Sequence, residues 1–166
     1  MSDVIAELRW RGLLQDMSEG AEAHLASGSR VCYAGFDPTA SSLHVGTLLP
    51  IMGLVHLQRH GHHPIPLVGG GTGLIGDPSG KAEERPLISS ETASVNAEAI
   101  QVQLEHFLDF GSRKNPARMC NNYEWLSEIR MVDFLRDTGK HFRVNDMMRK
   151  ESVRRRLDAE DSGVSY

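Results

Sequence analysis

Cysteine is scarce in this chain: two residues in 166, Cys32 and Cys120, stand far apart and outside any Cys-x-x-Cys spacing. Neither a disulfide framework nor a zinc ribbon is therefore encoded, and a reducing, cytoplasmic setting is expected. Charge of one sign is also missing. The formal net charge is -4, which gives no global basic field, so any nucleic-acid contact has to use a local patch or another part of the protein. No apolar run approaches the roughly 20 residues that span a bilayer. The first seven residues carry Asp3 and Glu7 where a secretory signal would have basic residues and an apolar stretch, so neither membrane insertion nor export is expected.

What is present is ordinary for a globular protein: 40% apolar and 24% charged residues, without repeats or low-complexity tracts. The length suits one α/β domain. Apolar periodicity predicts short helices over 4–14 and 19–26, ending near Gly12 and Gly28, then a buried strand over 30–36. A dense helix follows over 48–57, with Pro50 in its first turn where the missing N–H is harmless. A second strand is expected over 64–68, a helix over 91–110, a third strand over 117–121, and helices over 128–138 and 144–157. Strands alternating with helices predict an α/β fold, a parallel sheet with helices on both faces. In open sheets of this kind ligands bind beyond the carboxyl ends of the strands.

Those ends carry the unusual residues. Phe36-Asp37-Pro38-Thr39 leads through Ser42-Leu43-His44-Val45-Gly46-Thr47 into a helix start, where backbone N–H groups, an imidazole and hydroxyls could hold a phosphate. The same residues could equally do no more than cap turns and satisfy local backbone groups. The next stretch, residues 69–81, contains a literal G-x-G-x-x-G at Gly71, Gly73 and Gly76, but the turn at Asp77-Pro78-Ser79-Gly80 stands where a dinucleotide fold needs a helix. A P-loop fails as well, because Ile75 occupies its first glycine position and Ala82 its hydroxyl position. What remains is a glycine-rich strand end that a ligand backbone could approach, with Asp77 suited to an ammonium group and Lys81 and Arg85 suited to a phosphate leaving group. A plain tight turn with solvated cations is the alternative. His56, His60, His62 and His63 cluster at a helix end, where partly charged imidazoles would meet the negative pole of the dipole, and no metal site is expected from them. The basic run Arg149, Lys150, Arg154, Arg155 and Arg156 reads as a solvated helix face or as a strip facing tRNA.

Five blocks, 33–40, 42–46, 67–81, 121–125 and 134–142, taken in order and spacing, resemble bacterial tyrosyl-tRNA synthetases. The resemblance runs from near the N-terminus to Tyr166 and implies a Rossmann-like class I catalytic domain. It implies an enzyme that activates tyrosine with ATP, with Mg2+ carried by the nucleotide, and passes the tyrosyl group to tRNA(Tyr), working as a homodimer. Carried over residue by residue, it assigns Tyr33, Asp77 and Asn122 to tyrosine, and Gly35, Asp37, Thr39, His44 and Gly46 to ATP. His44, Thr47, Lys81 and Arg85 become the catalytic set.

Three departures stand out. Thr47 replaces the second histidine of the His-Ile-Gly-His signature, and Ala34 stands where the family often has cysteine. The family's next helix, the second half of its fold, its lysine-rich mobile loop and its tRNA-binding domains have no counterpart up to Tyr166. The chain is thus expected to be the N-terminal half of the catalytic domain and a poor catalyst alone. Three other possibilities remain open: a non-catalytic binding or dimerisation module of the same fold, a tryptophanyl-type enzyme, and a nicotinamide-dependent enzyme suggested by the three glycines alone.

Overall fold

The computed structural model describes residues 3–75 and 89–157. Helix α1 (Val4–Trp10) begins where the Asp3 side chain accepts the Ile5 and Ala6 amides, and it ends at Gly12, whose φ of 70° only glycine adopts freely. Helix α2 (Ala21–Ala26) leads to strand β1 (Val31–Phe36). A 3-10 turn (Val45–Thr47) runs into α3 (Leu48–Arg59), with Pro50 in the first turn as expected, and β2 (His63–Val68) follows. Then come α4 (Gly70–Ile75), α5 (Ser90–Leu104), β3 (Cys120–Asn121), α6 (Tyr123–Leu126), α7 (Met131–Asp137), a 3-10 turn (Gly139–His141), α8 (Val144–Met148) and α9 (Glu151–Leu157).

The strands form a parallel sheet in the order β1-β2-β3, flanked by helices, as the alternating pattern predicts. The register pairs Val31 with His63 and Phe36 with Val68. Two prolines sit in the central strand, where a missing N–H normally breaks a ladder. The ladder survives because His63 and Gly69 donate toward β1, to the Arg30 and Phe36 carbonyls, whereas Pro64 and Val68 turn their carbonyls the other way, to the Arg118 and Asn122 amides. Pro64 and Pro66 therefore lack their N–H on the β3 side only. The expected third strand over 117–121 accordingly shrinks to Cys120–Asn121.

Even-numbered residues of β1 and β2 point into the core. Phe36 and Val68 are buried, and Phe36 joins Ile51, Leu54 and Val55 of α3 and Ile100 and Leu104 of α5 in one cluster. Burying each such side chain is worth about 1.5–3 kcal/mol. On the opposite face of β1, Val31 and Tyr33 stay exposed.

The largest departures from the predicted helices are those over 91–110 and 144–157. Helix α5 stops at Leu104, and Gln58 holds the following bend by accepting the Asp109 amide and donating to the Asp109 carbonyl. Residues 144–157 form two helices, since Val144, Met147 and Met148 are exposed and no packed face sustains one long helix.

Candidate functional site

The parallel strands bring three chain segments to one edge of the sheet: the turn after Phe36, the glycine-rich segment after Val68, and the Asn121-Asn122 pair. At the first of these, His44 caps the 3-10 turn. Its Nδ1 accepts the Gly46 amide at 3.1 Å, and its carbonyl accepts the Thr47 amide at 2.9 Å. In the neutral imidazole the proton then sits on Nε2, which leaves the exposed ring a donor toward solvent. Gly46 allows this packing, because a Cβ there would lie 2.9 Å from Cε1 of the imidazole. The Thr47 hydroxyl donates to the His44 carbonyl at 2.6 Å, so its proton is committed to the turn. Local capping, one of the two sequence readings, is thus realised for His44, and Thr47 adds its hydroxyl to the same turn.

Residues 70–75 of the glycine-rich segment form a helix, where the sequence suggested only a strand end open to a ligand. Three of the six residues of α4 are glycine, each costing about 1 kcal/mol relative to alanine in a helix, so α4 depends on tertiary support. Asn122 supplies it: the buried side chain accepts the Gly71 amide at 2.7 Å and donates to the Thr72 hydroxyl at 3.1 Å. The space left by the glycines is filled by the protein itself. A Cβ at Gly70 would collide with the Asn121 side-chain oxygen, and one at Gly71 would come within 3.2 Å of Asn122 Oδ1 and Tyr123 Cα. Gly71 and Gly73 of the literal dinucleotide motif therefore lie inside a helix and not in a loop ahead of one.

Asp37 is exposed beside this helix start, its Oδ1 3.3 Å from where a Gly69 Cβ would sit, close to the Thr72 hydroxyl. The structure thus brings Asp37, Gly69, Thr72 and Asn122 together. Thr39 is exposed on the turn, and among the described residues no atom lies within 4 Å of a Cβ at Gly35 on β1. Tyr33 is 73% exposed on the uncovered sheet face. Asp77, Lys81 and Arg85, with Gly76, lie outside the described residues. A cleft of about 250 Å3 opens at the same edge between Gly70 and Leu74, Ser90 and Ser94, and Asn121 and Tyr123. Sequence reasoning gave Thr72 and Asn121 no role although both fall in the matched blocks. Thr72 carried a signal, a polar side chain within a run of glycines, and Asn121 carried none beyond its place at the end of a predicted strand.

The histidine cluster differs from expectation. His56 and His62 are each 2% exposed, and burial pushes both pKa values below the ordinary histidine range, so they are neutral core residues and not charged groups at a helix dipole. His60 alone meets the helix end, its Nδ1 2.8 Å from the His56 carbonyl.

The family model "tRNA synthetases class I (W and Y)" matches residues 26–166. The chain belongs to this family. Among curated relatives of this class I synthetase chain, the tyrosine-tRNA ligase of Roseiflexus castenholzii is 52% identical over all 166 residues and that of Desulfosudis oleivorans 53% over 99% of the chain. The chain spans 39% and 37% of their lengths. Among solved structures, a C-terminally truncated mitochondrial tyrosyl-tRNA synthetase of Aspergillus nidulans superposes with a TM-score of 0.83 at 26% identity, over the whole chain and 50% of that protein. The sequence-based expectation of a class I α/β catalytic region is borne out.

Proposed function

We propose that this class I synthetase chain carries the ATP- and tyrosine-binding part of a tyrosine-tRNA ligase. The observation that carries the reading is the gathering of Asp37, Thr72 and Asn122 at the carboxyl edge of the sheet, from which residues 37–43 lead to the His44-Gly46 turn. Identity of about half to tyrosine-tRNA ligases over the full chain supports tyrosine over tryptophan as the amino acid.

In the proposed reaction a tyrosine carboxylate oxygen attacks the α-phosphorus of ATP. The new P–O bond forms as the bond to the bridging oxygen of the β-phosphate breaks, giving tyrosyl-adenylate and pyrophosphate. The acyl group then passes to a terminal ribose hydroxyl of tRNA(Tyr), releasing AMP. Such in-line displacement needs alignment and charge stabilisation more than covalent help. The His44 Nε2–H donates to a phosphate oxygen, with Gly46 giving close access, while Gly35, Asp37 and Thr39 line the adenylate path. Asp77 holds the tyrosine ammonium, and Tyr33 meets the substrate phenol from the open face of β1. Asn122 acts one step back, by fixing the helix that leads to Asp77. Lys81 and Arg85 receive the departing pyrophosphate, and Mg2+ arrives with ATP. With its hydroxyl proton given to the His44 carbonyl, Thr47 holds the turn in shape.

The exposed apolar residues of α7 to α9, among them Met131, Val132, Phe142 and Val144, support pairing with a second copy. No helix among the described residues is long and apolar enough to cross a membrane.

Calorimetric titration of the full-length protein that carries this sequence tests the reading. Saturable binding of tyrosine and ATP, with tryptophan far weaker, is expected. Dimerisation or RNA binding without affinity for either small ligand would favour the non-catalytic module, and a preference for tryptophan would reassign the substrate.

A further inference from the structure

Residues 37–43 form an irregular connection whose exposed middle, Thr39 to Ser42, separates the buried Pro38 from Leu43, which packs against the core. Two amides on α5 hold its ends. Asn96, 8% exposed, donates from Nδ2 to the Pro38 carbonyl at 3.0 Å. Gln103 accepts the Leu43 amide at 3.0 Å with Oε1 and donates from Nε2 to the Ser41 carbonyl at 2.9 Å and to its own helix at Ala99. The two side chains stand two turns apart on one face of α5, the face that also buries Ala93, Ala97, Ile100 and Leu104. We infer that Asn96 and Gln103 are positioning residues that set the Asp37-to-His44 turn for ATP, an assignment that rests on the ligase reading above.

The chemistry demands amides at both positions. Gln103 uses an acceptor and a donor at once, so a methionine of similar shape satisfies neither loop group, and a glutamate turns a carboxylate toward the Ser41 and Ala99 carbonyls. At Asn96 an aspartate would likewise set an acceptor against the Pro38 carbonyl. Each change leaves the core side chains of α5 in place but frees one end of the turn. A misplacement of about 1 Å at the reacting centre is enough to cost on the order of a hundredfold in rate. Neither residue touches the nucleotide in this scheme; both act through Asp37, Thr39 and His44.

The test is tyrosine-dependent ATP–pyrophosphate exchange by the full-length protein, comparing wild type with Gln103→Met, Asn96→Asp and the control Ile100→Val. The control removes a buried methyl from the same helix without touching the turn. For Gln103→Met and Asn96→Asp the expected result is a KM for ATP raised about tenfold or a kcat lowered by a similar factor or more, with the KM for tyrosine within about twofold of wild type. Ile100→Val should lower the unfolding midpoint yet keep both KM values. Loop variants that match wild type, or that move ATP and tyrosine parameters in parallel, overturn the positioning role while leaving the ligase reading intact. A wild-type protein without tyrosine-dependent exchange overturns both.

Discussion

The Asn122 side chain, at the end of β3, accepts a hydrogen bond from the Gly71 amide at 2.7 Å, and so the third strand caps the helix that follows the second. The contact spans 51 residues of sequence. It ties two of the three segments at the sheet edge into one rigid unit.

Asn122→Ala should lower stability by about 1–3 kcal/mol, the cost of leaving a buried amide N–H without its acceptor. Asn122→Asp keeps an acceptor for Gly71 but loses the donor to Thr72, and should fall between alanine and wild type. Urea unfolding of the three proteins measures the order. Equal midpoints for all three would show that α4 holds its place without Asn122.

Gly70→Ala should destabilise by about 1–3 kcal/mol, although alanine is the better helix former, because the added Cβ would meet the Asn121 side chain. Gly53→Ala makes the natural comparison, since no atom of the described residues lies within 4 Å of a Cβ there in α3. That substitution should be neutral or stabilising by up to about 1 kcal/mol. Thermal unfolding of the pair distinguishes close packing from helix propensity.

How much of this was legible in the sequence depends on range. Pro50 in the first turn of α3 and Gly12 after α1 are local rules, and both are met, whereas the strand read as buried keeps Val31 and Tyr33 exposed and buries Phe36, because only one of its faces meets the core. The helix at 70–75 was not legible, because glycine propensity argues against it and its support comes from Asn122, distant in sequence. The short β3 follows from Pro64 and Pro66 in a neighbouring strand, again a relationship that no local window contains. At the site, the sequence located the His44-Gly46 turn but not its hydrogen bonds: that Thr47 spends its hydroxyl on the His44 carbonyl depends on the turn geometry. His56 and His62 were misjudged for a related reason, since a helix end looks exposed until α1 and the 115–117 segment are seen to cover it.

Acid should weaken the fold through His56 and His62. Burial holds both folded-state pKa values below the unfolded value of about 6.5, so the unfolded chain binds more protons in this range. Stability is therefore full above the unfolded pKa and declines as pH falls through it. Around His56, Arg11, Arg59 and His60 oppose protonation while Glu7, 4.0 Å from Nδ1, favours it. Among the described residues the buried His56 Nε2 has no hydrogen-bond partner, so His56→Met should flatten the decline as pH falls through about 6.5, at little cost at neutral pH. Denaturation curves at several pH values check this, and an unchanged slope in the variant would assign the acid sensitivity elsewhere.

The most direct test of the central claim, that the His44 turn grips the nucleotide while Asp77 grips the amino acid, is tyrosine-dependent pyrophosphate exchange by the full-length protein and by its His44→Ala and Asp77→Ala variants. The account predicts a loss of about a hundredfold or more in each, expressed through ATP and the transition state for His44 and through tyrosine for Asp77. Wild-type exchange rates in both variants would contradict it.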